Sequence, residues 1–400
     1  MQPAMQGGNG GSGRTDTIYL VAGETSGDVL GARLVTALKR MRPDLRFAGV
    51  GGARMAEAGL HSLFPMSDLN VMGLVEVLPR VRLLRRRLRE VADDLARKRP
   101  AVVVTIDSPG FTLHVLRGAG ALGIKRAHYV APQVWAWREK RVRHFPGLWD
   151  RLLCLLPFEP AFFAKHGLPG VFVGHPVLES GADRGDGARF RAGHGIAATA
   201  PVLVLMPGSR RTEVPRLLPV FGAAVALLRR DWPDLVPVVP VAPAVAAAVE
   251  RAVASWPVRP VVETTTDGKH DAYAAASAAL TKSGTSTLEL ALAGVPMAVT
   301  YRVNPLSAAL ARRLIRVPYV AMVNLLAGRR VVPELLQEAC TPTTLAATVS
   351  TLLRDPAVVA SQREGFRNAL DSLRPPGATP SDAAARAVLE LLDHPLPHQA

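Results

Sequence analysis

From Thr17 onward, short apolar runs alternate with longer amphipathic stretches, and this rhythm restricts the fold more than any other feature of the chain. IYLVAG leads into a helical pattern ending near Arg40, followed by RFAGVGG, another helical stretch, a basic one near residues 80–99, and AVVVTID. That is a βαβ series. HYVAPQVWAW, RLLCLLPFE and VFVGHP continue it. Each run ends in Gly, Pro, Ser or an acid, as expected where loops at the carboxyl edge of a parallel sheet meet ligand. A segment rich in Gly, Ala and charge, SGADRGDGARFRAGHGIAATA, interrupts the rhythm, which PVLVLMPGSR reopens and DLVPVVPVA, VRPVVETTT, ASAALTKSGT and GVPMAVTYR carry on. The expectation is an α/β protein of two doubly wound, Rossmann-like domains facing each other across a cleft. Its parts are a disordered leader (1–15), a first domain (16–178), a linker (179–200), a second domain (201–355), and closing helices with a tail (356–400).

Composition narrows the functional classes. Of 400 residues, 48% are hydrophobic, enough for two buried cores. The longest charge-poor stretch, Leu235 to Val249, is broken by Pro237, Pro240 and Pro243, so no transmembrane helix is expected. The net charge of +15 makes phosphate-rich partners plausible. Only seven of the 48 basic residues are lysines, however, and arginine dominance with high alanine is also what a GC-rich genome produces; nucleic acid is not expected as a partner. Cys154 and Cys340 lie outside any metal-ligand spacing and read as buried thiols in a reducing compartment. The opening MQPAMQGGNGGSGR has five glycines and no apolar core, unlike a signal peptide, which predicts a cytoplasmic location.

Several loops have the residues for chemistry. GETSGD, Gly23 to Asp28, opens the first helix and places Glu24 and Ser26 at a strand end, although Ser26 or Asp28 could equally serve only as a helix cap. It is not GxGxxG, and two acids would repel a pyrophosphate. PGSR offers small residues, Gly208 and Ser209, and the guanidinium of Arg210 for a phosphate, with Glu213 just beyond. SGTSTLE places Ser283, Gly284 and Thr285 at another helix start, with Glu289 a turn later as an acceptor for ribose hydroxyls. Asp107 ends the apolar strand AVVVTI as a capping, paired or catalytic carboxylate, and His128 and His175 are alternative bases or simply hydrogen-bonded histidines. Gln133, Trp135 and Trp137 form an aromatic patch suited to structure or to a cleft wall. There is no DxD and no His/acid cluster at ligand spacing, so no metal and no cofactor is expected. Residues 71–90 mix Met72, Leu74, Leu78 and Leu83 with arginines such as Arg85, either an ordinary amphipathic helix or a segment for an anionic membrane surface.

The strings GETSGDVLGA, GVGGARM, VMGLVEVLPR, IDSPGF, YVAPQVWAWR, LPFEP, FVGHPVLE, MPGSRRTEV, SGTSTLE, NLLAGR and VPELLQ occur in one order over residues 18–340. In this the chain closely resembles the lipid-A-disaccharide synthase family. The resemblance implies a GT-B glycosyltransferase, peripheral on the inner face of the inner membrane, that joins UDP-2,3-diacylglucosamine to 2,3-diacylglucosamine 1-phosphate (lipid X) by inversion and releases UDP. It carries Glu24, Ser26, Asp28, Asp107, Trp135, Arg210, Ser283, Thr285, Glu289, Asn324, Glu334 and Gln337 over as family positions. Two departures stand out. The family's IDxPDFN has lost its second acid, Gly110 standing in its place, and the LPN before LLAGR has become Met322, Val323 and Asn324. A different UDP-sugar GT-B enzyme of the epimerase type and a silent lipid or nucleotide binder are the alternatives, and a homodimer is left open.

Overall fold

The computed structural model describes residues 16–69, 80–137, 139–208, 214–304 and 317–394. They fall into two compact units, one drawn from residues 1–132, 141–174 and 377–400, the other from 133–140 and 175–376.

In the first unit, strands β1 (Thr17–Ala22), β2 (Arg46–Val50), β3 (His61–Ser62), β4 (Val102–Ile106), β5 (Lys125–Tyr129), β6 (Arg151–Cys154) and β7 (Gly170–Phe172) form one parallel sheet in the order β3-β2-β1-β4-β5-β6-β7. The chain winds outward from β1 to β3, then returns to β4 and winds the other way. This leaves a topological switch between β1 and β4. Ile18 to Ala22 are all fully buried, as in strands covered on both faces. Alternate residues feed two cores: Ile18, Leu20, Val102 and Val104 enter one, Tyr19, Val21 and Val103 the other.

Helix α1 (Thr25–Met41) covers the first face, and α2 (Ala53–Glu57) follows β2. Helix α3 (Val81–Lys98) covers the second face by burying Val91 and Leu95, with Leu84 and Leu88 packed beside them. Tyr19 donates to the buried Asp94 carboxylate at 3.0 Å, and Lys98 (2.7 Å) and Arg97 neutralise that charge. Helices α4 (Pro109–Ala121), α5 (Val134–Trp137) and α6 (Glu159–Ala164) complete this half of the sequence.

The expected linker is not a loose connection. Residues 187–194 form helix α7 (Gly187–His194), which belongs to the second unit and is held to it by the Arg189–Asp271 ion pair at 2.7 Å. Gly185 packs too closely for any side chain: a Cβ there would sit 1.9 Å from the carbonyl oxygen of His270.

The second sheet, also parallel, contains β8 (Val202–Met206), β9 (Val236–Pro240), β10 (Val261–Glu263), β11 (Ala278–Lys282), β12 (Met297–Tyr301) and β13 (Glu334–Leu336) in the order β10-β9-β8-β11-β12-β13. Its switch lies between β8 and β11. The helices are α8 (Val214–Leu228), α9 (Pro243–Val253), α10 (Thr266–Ala275), α11 (Thr285–Leu292), α12 (Met322–Ala327), α13 (Pro342–Arg354), α14 (Pro356–Ser372) and α15 (Pro380–Asp393).

The closing helices divide between the units. α13 packs on α8 and α14 on α12, whereas α15 returns to the first unit, inserting Ala384, Val388 and Leu391 into its core beside α1. Lys125 fastens its end by donating to the carbonyls of Leu392 and His394, both at 2.7 Å. The architecture is GT-B-like: two Rossmann-type parallel sheets, each clad in helices.

Candidate functional site

The switch point of the second sheet opens into a cavity of about 540 Å³ at the carboxyl ends of β8 to β11, a size suited to a nucleotide. Gly208, Ser283, Gly284 and Thr285, all expected in a donor site, line it. Gly208 and Gly284 have φ of +109° and +154°, backbone that a side chain rarely tolerates, which accounts for the glycines in both loops. Gly284 caps α11, whose first amides have no intrahelical acceptor and form the positive end of the helix.

The loop is held from behind. Ser283 Oγ donates to the carbonyl of Val320 at 2.7 Å, and the Val320 and Ala321 amides donate to the Glu334 carboxylate at 2.9–3.1 Å. Asn324 completes this support. It is fully buried, accepting from the Val331 and Val332 amides and donating to Glu334 and to the Val332 carbonyl. A side chain so enclosed braces the loop that Ser283 holds.

Two basic cavity residues were not singled out in the sequence, Lys269 and Lys282. Glu289 accepts from Lys269 Nζ on both oxygens, at 3.1 and 3.0 Å, and from the Tyr273 hydroxyl at 3.1 Å. The second lysine directly precedes SGT. Ser209, Arg210 and Glu213 lie outside the described residues.

The first unit concentrates backbone strain at the carboxyl edge of β4 and β5. Asp107 (φ +49°), Ser108 (+47°) and Val130 (+78°) are all left-handed, and for a β-branched residue that is a true outlier. Tyr129 O accepts from the Asp107 amide at 2.9 Å and Thr112 Oγ1 donates to Asp107 O at 2.7 Å, so the turn is pinned at both ends. Burial pushes the Asp107 carboxyl above its ordinary value, against the opposing pull of the Ser108 amide. Gly110, in the first turn of α4, is exposed with nothing within 4 Å of where a Cβ would stand.

Glu24 is the N-cap residue of α1 and half-buried, with Ser26 exposed in the first turn. Asp28 caps a different helix from the one it sits in. Its buried carboxylate accepts from Gly52 (2.8 Å), Arg54 (3.0 Å) and Met55 (3.0 Å) at the start of α2.

His128, one of the expected candidate bases, lies inside the sheet. It is fully buried in β5, its Nδ1 shares a hydrogen bond with Thr105 Oγ1 at 2.8 Å, its ring stacks on Trp149, and burial pushes it down to about 4. His175 is likewise neutral, pushed down to about 4 by burial, and its Nδ1 accepts from the Val177 amide. Gln133 is exposed, Trp135 half-buried and Trp137 41% exposed on α5, which groups with the second unit.

Along α3 the apolar side is committed to the core, so its free face is cationic: Arg82, Arg85, Arg86 and Arg89 are exposed while Leu83 is half-buried. Arg87 is spent on Asp68 (2.6 Å) and Glu90 (2.5 Å). Met72, Leu74 and Leu78 lie outside the described residues. Among the described residues no helix is long and apolar enough to cross a membrane, and no group of three His, Cys, Asp or Glu side chains is placed to hold a metal.

The sequence profile described as Lipid-A-disaccharide synthetase matches residues 18–388, nearly the whole of both units. The chain belongs to the lipid-A-disaccharide synthase family. Among relatives bearing that family name, the protein of Gluconobacter oxydans is 63% identical, over 95% of this chain and 91% of its own. That of Granulibacter bethesdensis is 59% identical (94% and 98%), and that of Pseudomonas aeruginosa 44% (94% and 98%). Solved structures share the fold at low identity. The UDP-GlcNAc 2-epimerase of Neisseria meningitidis bound to UDP-GlcNAc superposes with TM-score 0.62 at 13% identity, covering 94% of this chain and 99% of that one. The glycotransferase of kitacinnamycin gives 0.62 at 18%, covering 95% and 100%.

Proposed function

We propose that this chain transfers 2,3-diacylglucosamine from its UDP donor to 2,3-diacylglucosamine 1-phosphate with inversion, giving a lipid A disaccharide 1-phosphate and UDP. The observation that carries this reading is the family match across residues 18–388, joined to a nucleotide-sized cavity at the switch of the second sheet. The second unit takes UDP. Its diphosphate meets the first amides of α11, Lys282 and Arg210, so turnover needs neither a divalent cation nor a cofactor.

On the acceptor side, the 6′-hydroxyl oxygen attacks the donor's anomeric carbon as the bond from that carbon to the diphosphate oxygen breaks. UDP leaves with the electron pair and the hydroxyl proton passes to the Asp107 carboxylate. The raised Asp107 carboxyl and the strained turn that holds it support this assignment. Glu24, at the neighbouring strand end, is the second carboxylate, and Ser26, Gln133 and Trp135 are assigned to the acceptor. The exposed arginines of α3 hold the chain to anionic headgroups at the cytoplasmic face of the inner membrane.

The test pairs acylated UDP-glucosamine with plain UDP-N-acetylglucosamine, each with lipid X in EDTA, followed by mass detection. A disaccharide 1-phosphate from the acylated donor alone is the expected result. An epimerised plain donor, or activity restored only by magnesium, would count against the reading.

A further inference from the structure

The core of the first unit buries two polar rings without satisfying either in full. His128 is fully buried and Trp149 is 4% exposed, and among the described residues His128 Nε2 and Trp149 Nε1 have no hydrogen-bond partner. An orphaned buried nitrogen costs the folded state free energy that an apolar ring of the same shape does not. Core packing alone therefore does not account for an imidazole at this position.

The imidazole ties two strands together near their carboxyl ends. Thr105 and His128 are register partners in β4 and β5, and Thr105 Oγ1 and His128 Nδ1 share a hydrogen bond of 2.8 Å. One step on, Ile106 pairs with Tyr129, and beyond that pair stand the left-handed Asp107 and Val130. On its other side the imidazole stacks on Trp149, with 5.6 Å between ring centres and 16° between planes. Asp150, the next residue, accepts from the Arg126 amide of β5 at 2.7 Å, so the Trp149 segment is itself fastened to that strand. Strained backbone persists only where its surroundings over-determine it, and Thr105, His128 and Trp149 are the side-chain part of that support.

We propose that His128 is a positioning residue: bonded to Thr105 and backed by Trp149, it holds the turn that presents the Asp107 carboxylate. The inference rests on the reading of Asp107 as the base and adds to it what keeps that carboxylate in place. Burial raises the Asp107 carboxyl against the pull of the Ser108 amide, with no charged side chain among the described residues contributing. Its ionisation thus reports how far the turn stays out of water.

Steady-state kinetics of the full chain with the acylated donor and lipid X across pH test it, using the parent, T105V, H128F, H128N and D107N, with thermal melts and UDP calorimetry alongside. Phenylalanine fills the ring volume and can stack on Trp149 but cannot bond Thr105. In H128F and T105V kcat should fall about tenfold or more, the scale of a small misplacement of a reacting group. The acid limb of the rate profile should move down toward that of an ordinary carboxylate, while Tm in H128F holds or rises because an orphaned nitrogen is gone. Asparagine sets an amide where Nδ1 stood and keeps the bond to Thr105, so H128N should retain kcat within about threefold with its acid limb unmoved. UDP affinity should stay within about twofold throughout.

Parent-like kcat and acid limb in H128F overturn the positioning role. So does a loss of kcat with the acid limb unmoved, which is what damage to packing alone produces. A loss of about a hundredfold in H128N makes the imidazole itself the proton acceptor and overturns it as well. If D107N keeps the parent's rate, the base reading fails and this inference with it, whereas an inactive D107N beside a parent-like H128F removes His128 alone.

Discussion

Asp107→Asn separates catalysis from stability in opposite directions. Its carboxylate is held at φ +49° and is disfavoured by burial, and both circumstances cost the folded state something. Asparagine keeps the shape, carries no charge to desolvate and visits the left-handed region readily. The variant should therefore be more stable by about 0.5–1 kcal/mol, or about 2 °C in Tm.

The rate should move the other way. A positioned general base contributes about 10²–10⁴-fold, so kcat should fall at least a hundredfold, about 2.7 kcal/mol of activation free energy, with UDP affinity unchanged. The pH dependence carries the same sign: a carboxyl above its ordinary value must ionise before it can accept a proton. The acid limb of the parent's rate profile thus lies at higher pH than an ordinary carboxylate would give, and vanishes in the variant. Stability runs inversely, since the folded state binds the proton more tightly and loses stability as pH rises through that window. Steady-state kinetics, calorimetry with UDP and a thermal melt suffice. A kcat within threefold of the parent, or a lower rate accompanied by a Tm drop of several degrees, would refute the reasoning.

Gly110→Asp places an acid in open space in the first turn of α4, where the helix dipole favours it; the Tm should hold or rise by about 1–2 °C and turnover should increase, and turnover equal to the parent's at unchanged Tm would show that position 110 plays no acceptor-side part. Asp28→Ala strands three backbone amides at the start of α2 and should cost about 3 kcal/mol in denaturant unfolding of the first unit while leaving UDP affinity intact; a loss below about 1 kcal/mol would remove Asp28 as the brace of that loop. Replacing Arg82, Arg85 and Arg89 together by Ser should weaken sedimentation with anionic liposomes and flatten its salt dependence, whereas unchanged sedimentation places the contact elsewhere. Arg210→Ala should weaken UDP binding by about 1.5–3 kcal/mol, and unchanged affinity in a folded variant would take Arg210 out of the donor site.

Strands were legible because a run such as Ile18 to Ala22 can be apolar throughout only when both faces are covered, and the alternation with helices implied a parallel sheet. Gly208 and Gly284 were legible for a related reason, since few residues but glycine accept their backbone angles beside a strand end. What stayed hidden depends on contacts made across the sequence. The three amides that Asp28 binds lie 24 to 27 residues away, so nothing local distinguishes it from a cap of its own helix. The same holds for Lys269, which meets the cavity and Glu289, 20 positions on, only in the folded chain. His128, readable as a base or as a hydrogen-bonded histidine, lies inside the core, where Thr105 on the adjacent strand partners Nδ1 and Nε2 has no hydrogen-bond partner among the described residues, a contact set that no local pattern announces. The amphipathic pattern of α15 is equally compatible with either unit, and which core receives it is a tertiary choice.

The most direct test of the glycosyltransferase reading follows the anomeric carbon itself. Donor labelled with ¹³C at that carbon, incubated with lipid X and followed by NMR and mass spectrometry, should yield one UDP per disaccharide 1-phosphate, with the label in a new bond to the acceptor's 6′-oxygen and its configuration inverted. Retained configuration would contradict the single-displacement mechanism, and UDP released with free or epimerised sugar but no disaccharide would contradict the activity.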